Sequence, residues 1–201
     1  MKSDICKLSQ DKESLALILA ETEKAAAYNN LEKKETGRLR LLAEELVGML
    51  PELLSFSIGE FWVESNDGAF ELHTSLTPDA SMTSERREKV LAVSSSGKNA
   101  AATGIMNKIR LAAEFMMLDY VENTSAVAMS HEFYEMGMTA IPVFSSVSWS
   151  LDAYRKSSEQ NSDNEKWDEL EKSIIANIAD DVVVGVQGKK VDIIVKKTFK
   201  K

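Results

Sequence analysis

The chain has 201 residues, of which 44 % are hydrophobic and 28 % charged, with a formal net charge of -8. That is enough apolar sequence for one packed domain, and the wrong overall sign for a surface that binds duplex nucleic acid by displacing counterions with Lys and Arg. The single cysteine, Cys6, excludes an internal disulfide and a cysteine-built zinc site, His73 and His131 are too few and too scattered to suggest another, and no apolar run reaches bilayer-spanning length.

Residues 11–30 read as a helix, with Leu15, Ile18, Leu19, Thr22 and Ala26 at helical spacing. A short charged connection ending near Thr36–Gly37 leads to a second helix over about 37–54, where Leu39, Leu42, Leu46, Met49 and Leu53 step along one face. Pro51 in its last turn predicts a kink or an early end. The period then changes to two. Residues 59–64 and 69–76 form a predicted β-hairpin around Ser65-Asn-Asp-Gly68, with Phe70, Leu72, Thr74 and Leu76 on one face and Glu71, His73 and Ser75 on the other.

After the loop Thr77–Thr83, Thr83 or Ser84 is placed to cap a charged helix over about 84–93. Ser94 to Asn99 interrupts it. A helix over about 100–118 follows, with Ile105, Ile109, Ala112 and Phe115 or Met116 on its buried face. Residues 120–165 mix apolar pieces with a polar tract, Ser157–Glu165, that reads as an exposed or mobile loop. A helix over about 165–178 precedes a terminal hairpin, Asp181–Val186 and Lys190–Val195, rich in β-branched residues. Strands arriving as hairpins predict an α+β fold: a two-layer α/β sandwich, its sheet mixed and mostly antiparallel, with helices on one face. A single domain over 1–201 with an insertion at about 120–170 is expected. The first residues lack a hydrophobic signal core, which points to the cytoplasm.

A carboxylate-bearing helix early, Ala43-Glu-Glu-Leu-Val-Gly48, then a Gly-containing loop entering a later helix, Ser94-Ser-Ser-Gly-Lys-Asn-Ala-Ala-Ala-Thr-Gly-Ile105, and a closing hairpin together resemble the GHKL superfamily of ATP-binding domains. The likeness is nearest to the bacterial anti-sigma serine-protein kinases and covers roughly residues 12–118 and 172–199. It implies a histidine-kinase-ATPase-like fold, a regulatory role, ATP as cofactor and a protein partner or homodimer, while the net charge and the lack of a spanning apolar run argue against nucleic acid and membrane as partners. It implies Glu44 as the general base. The asparagine that would ligate magnesium one turn later is replaced by Gly48, which has no side-chain oxygen, so magnesium chemistry is in doubt and no metal ligand is assigned.

The resemblance places Asp79 at the adenine amino group, although the glycines that follow that aspartate in the family are absent. It places Gly97, Lys98, Asn99 and Gly104 in the lid and phosphate site, where free amides at a helix N-terminus suit an anion. Each residue also has a plainer reading. Glu44 and Glu45 suit the solvated flank of an amphipathic helix, Pro78-Asp79 suits a turn, and the Ser/Gly loop suits a simple connection. Trp149, Tyr154 and Trp167 are either interface anchors or core plugs. Two functional readings therefore stand: an ATP-dependent serine-protein kinase, or a catalytically inactive pseudo-ATPase that binds a protein or a small ligand.

Overall fold

The computed structural model describes residues 1–9, 11–79, 109–110, 112–114, 116–117, 138–140, 147–161, 173–187 and 189–199. Its elements in chain order are β1 (Cys6–Lys7), α1 (Lys12–Tyr28), α2 (Lys33–Leu53), β2 (Phe56–Asn66), β3 (Ala69–Pro78), β4 (Met138–Ala140), β5 (Val147–Ser150), α3 (Leu151–Asn161), α4 (Ile174–Ile178), β6 (Asp181–Gln187) and β7 (Lys190–Thr198). The strands form one seven-stranded sheet in the order β1-β2-β3-β7-β6-β5-β4. Every described pairing is antiparallel.

Alternation along the strands sorts side chains onto two faces. Phe61, Val63, Phe70, Leu72, Leu76, Val182, Val184, Val191, Ile193 and Val195 are all buried on one face. They share a core with Ile18 and Leu19 of α1, and with Leu39, Leu42, Ala43 and Leu46 of α2. The predicted i, i+3, i+4 stripe of α2 is thus the stripe that closes this core. The fold is α+β, with a helical layer against one face of the sheet. Helical residues within 109–117 join the same core through Ile109, Ala112, Ala113 and Met116, three of which lie on the face predicted from the sequence.

The helix ends follow side-chain chemistry. Asp11 Oδ1 accepts from the Ser14 N–H at 2.7 Å, capping α1. At the start of α2, Glu35 accepts from the Glu32 N–H at 3.1 Å. That box starts the helix at Lys33, four residues before the expected Gly37, and makes the connection shorter than predicted. Pro51 is carried inside the helix, which ends at Leu53. The hairpin turns through Asp67 at φ 46° and Gly68 at φ 83°, the pair of positive values a type I′ turn demands. Ala69 therefore pairs with Asn66, and every later pairing is fixed by counting back from them.

Three regions differ from expectation. The segment carrying Cys6, for which the sequence predicts no element, pairs along β2: Ser3 N donates to Val63 O, Ser65 N to Met1 O and Leu8 N to Gly59 O, each at 2.8 Å. Residues 138–140 and 147–150 contribute β4 and β5, which extend the sheet beyond β6. Residues 157–161, read as the start of an exposed loop, are helical. Contacts rather than composition decide this: Ser157 is buried with its hydroxyl donating to Tyr154 O, and Arg155 holds the carbonyls of Ala176, Ala179 and Asp180. Trp149 and Tyr154 are both 1 % exposed, with ring centroids 6.2 Å apart, so they are core residues; Trp167 lies outside the described residues.

Candidate functional site

The residues expected to line a nucleotide pocket do not come together among the described residues. Glu44 is exposed on α2 and makes no hydrogen bond or ion pair there. Gly48, one turn on, has open space where a Cβ would sit. Asp79 is also exposed, and its N–H donates to Ser55 O at 3.0 Å, just past the C-terminal end of α2. Nine helical steps lead from Glu44 to Leu53, a rise of about 14 Å, so Glu44 lies far from the end of the helix where Asp79 is tied. Gly97, Lys98, Asn99 and Gly104 lie outside the described residues, as does the predicted helix over 84–93. Around Glu44, α2 offers the adjacent Glu44 and Glu45 but no side-chain oxygen a turn later, at Gly48 or Met49, a donor set that does not fit a magnesium ion held at nucleotide phosphates.

The chemistry that the fold does assemble lies on the opposite face of the sheet. The hairpin register sets Glu64 against Glu71 and Trp62 against His73. Two carboxylates directly opposite each other repel. Here each has a lysine beside it: Lys2 Nζ is 3.0 Å from Glu64 Oε1, and Lys196 Nζ is 3.3 Å from Glu71 Oε1. The pairing continues across the strands as a row, Lys2–Glu64–Glu71–Lys196–Asp181.

Trp62 organises this row from beside it. Its ring stacks on His73 with centroids 4.8 Å apart and planes inclined by 6°. Its Nε1–H donates to Glu64 Oε1 at 2.9 Å, and Lys2 Nζ lies 4.7 Å from the centre of the ring. One indole thus orients both a carboxylate and an imidazole. His73 Nε2 approaches Glu71 Oε2 at 3.2 Å. The distance alone would suit a hydrogen bond, but the direction does not, and this buried ring nitrogen has no hydrogen-bond partner. Glu64, Glu71 and His73 can each offer one ligand atom within 4.8 Å of the others.

Electrostatics follows from burial and neighbours. The Lys2 ammonium, and secondarily the Trp62 N–H, hold the Glu64 carboxyl below its usual range. Burial pushes the His73 imidazole below its ordinary value of 6.5, against the opposing pull of the Glu64 and Glu71 charges. Burial raises Asp192, opposite Ser75 on the same face, above the ordinary 3.8; the hydroxyl of Ser75 and the charge of Lys190 act against it. Farther along this face Val183 and Ile194 form a small buried apolar cluster of their own.

No family model, curated protein or solved structure matches this chain. Its chemistry is therefore read from its own residues. Alternation in the sequence puts Glu71, His73 and Ser75 together on one face of the hairpin without adding Glu64, and two scattered histidines do not suggest a zinc site. The signal was present in Asp67-Gly68: a two-residue turn there sets Glu64 opposite Glu71 and Trp62 opposite His73 by counting alone.

Proposed function

We propose that this chain is a non-catalytic regulatory module, the pseudo-ATPase alternative to a GHKL-type serine-protein kinase, acting by binding a protein partner or a small ligand. One observation carries the reading. On α2 the carboxylate that would serve as general base, Glu44, is solvent-exposed with nothing orienting it, and the position that would hold a metal is the bare Gly48. A general base needs a group within reach that fixes its geometry, and magnesium needs clustered oxygens. The likeness to the GHKL superfamily rests on the order of elements and on the Gly97–Gly104 loop, and adenine nucleotide remains the ligand class it suggests.

A thermal-shift series with ATP, ADP and a non-hydrolysable ATP analogue, each with and without magnesium, tests this. The expected result is no magnesium-dependent rise in melting temperature and no labelled phosphate transferred to any protein substrate. A clear magnesium-dependent stabilisation by ATP, which binding linkage would produce for a working site, overturns the reading and restores the kinase.

A further inference from the structure

We propose that Glu64, Glu71 and His73 form a binding site for a divalent first-row transition-metal ion of the zinc class, on the sheet face opposite α2. Two carboxylate oxygens and one imidazole nitrogen are a donor set suited to Zn²⁺, which takes His nitrogen and Glu oxygen at about 2.0–2.2 Å in tetrahedral array. That geometry puts neighbouring donors about 3.3 Å apart. His73 Nε2 and Glu71 Oε2 already stand at 3.2 Å, and all three ligand atoms lie within 4.8 Å, so only a small shift of a flexible glutamate side chain closes the set.

Three further features fit an ion rather than a plain ion-pair ladder. His73 Nε2 is buried, lies 3.2 Å from a carboxylate oxygen off the direction of a hydrogen bond, and makes none, an arrangement that a cation bound beside the pair would satisfy. Each carboxylate uses Oε1 for its lysine, while Glu71 Oε2 lies beside His73 and Glu64 Oε2 makes no hydrogen bond or ion pair among the described residues, so each carboxylate has an oxygen that its lysine does not use. Trp62 supplies the outer support that metal ligands ordinarily have: it stacks on the imidazole and donates to Glu64. Three protein ligands leave a coordination position open to water or to a ligand atom. The site owes nothing to α2 or to nucleotide, so its failure would leave the proposed function standing, and the converse also holds.

The test is titration calorimetry of the full chain with Zn²⁺, together with Co²⁺ absorption as a geometric probe. The expected result is one ion per chain, weakened more than about tenfold in both Glu71→Gln and His73→Gln, and about tenfold in Trp62→Phe, which removes the support but no ligand. The Co²⁺ spectrum is expected to show no thiolate charge-transfer band. Circular dichroism checks that each variant folds; if His73→Gln does not, Glu71→Gln at its half-exposed position decides alone. Absence of Zn²⁺ binding by the wild type, unchanged affinity in Glu71→Gln, or a thiolate band that places the metal on Cys6 would each overturn the proposal.

Discussion

The β2–β3 hairpin has two faces built from the same turn and the same register, and they do opposite jobs. Toward the helices it presents Phe61, Val63, Phe70, Leu72 and Leu76, all at most 1 % exposed. Away from them it presents Trp62, Glu64, Glu71 and His73, none fully buried and each held by a neighbour through charge, stacking or a hydrogen bond. The first face gains its stability from apolar area removed from water, which is large and indifferent to detail. The second gains little net stability from partly solvated ion pairs but fixes directions. In this chain, stability and chemistry can be altered separately, one strand residue apart.

Adjacent substitutions give the largest expected contrast. Leu72→Ala should destabilise the fold by about 2–5 kcal/mol through lost burial and the cavity left behind. Glu71→Gln, its immediate neighbour, should change stability by less than about 1 kcal/mol, since it loses a half-exposed pairing with Lys196 and also relieves repulsion with Glu64. Urea denaturation of the two variants measures both. Equal effects would mean that the outer face also carries the fold.

A smaller effect is expected at the turn on which both faces depend. Gly68 has φ 83°, and a Cβ there would meet the carbonyl oxygen of Phe199 at 2.8 Å. Gly68→Ala should therefore cost about 1–3 kcal/mol through backbone strain and that clash. A neutral Gly68→Ala in the same denaturation assay would show that the pairing is held by the strands alone.

The smallest effect concerns charge on the outer face. The folded-state pKa of Asp192 is raised above the ordinary 3.8 by burial, so its contribution to stability is present below that value and is lost as pH rises through the folded one. His73, depressed below 6.5, has the opposite sign: its contribution is present above the ordinary value and is lost on acidification. Comparing Asp192→Asn with wild type at each pH isolates the carboxyl together with its coupling to the His73 charge. The variant's melting temperature should exceed the wild type's near neutrality, with the gap closing toward about pH 4; the gain stays small because the carboxyl is partly solvated. A variant less stable than wild type near neutrality would show that Lys190 and Ser75 make the charge favourable.

Much of the fold was legible because it rests on local patterns. The α2 stripe, the period-two alternation around Asp67-Gly68 and the β-branched terminal hairpin all carry their signal within one element, and the structure has each of them. What escaped depends on contacts between distant residues. The first eight residues look like a polar start until they exchange hydrogen bonds with β2, and Ser157 looks like loop until its bond to Tyr154 O and the grip of Arg155 on an α4 carbonyl fix the helix. The outer-face cluster was half legible. Its members share a face by simple alternation, but Lys2 and Lys196 reach it from segments nearly two hundred residues apart. The nucleotide reading of Glu44 and Asp79 drew on motif order, which carries no information about whether two side chains meet.

One further consequence lies in the middle of the sheet. Among the described strands β7 is the one neighbour shared by β3 and β6, and within the sheet it joins the β1–β3 half to the β6–β4 half. The bond from Thr74 to Ile193 spans 119 residues of chain. Closing so long a loop is entropically slow, and until β7 arrives neither half has its central edge covered. During synthesis the hairpin of β2 and β3 therefore waits with the backbone N–H and C=O groups of one β3 edge unpaired, an edge to which a foreign strand can add.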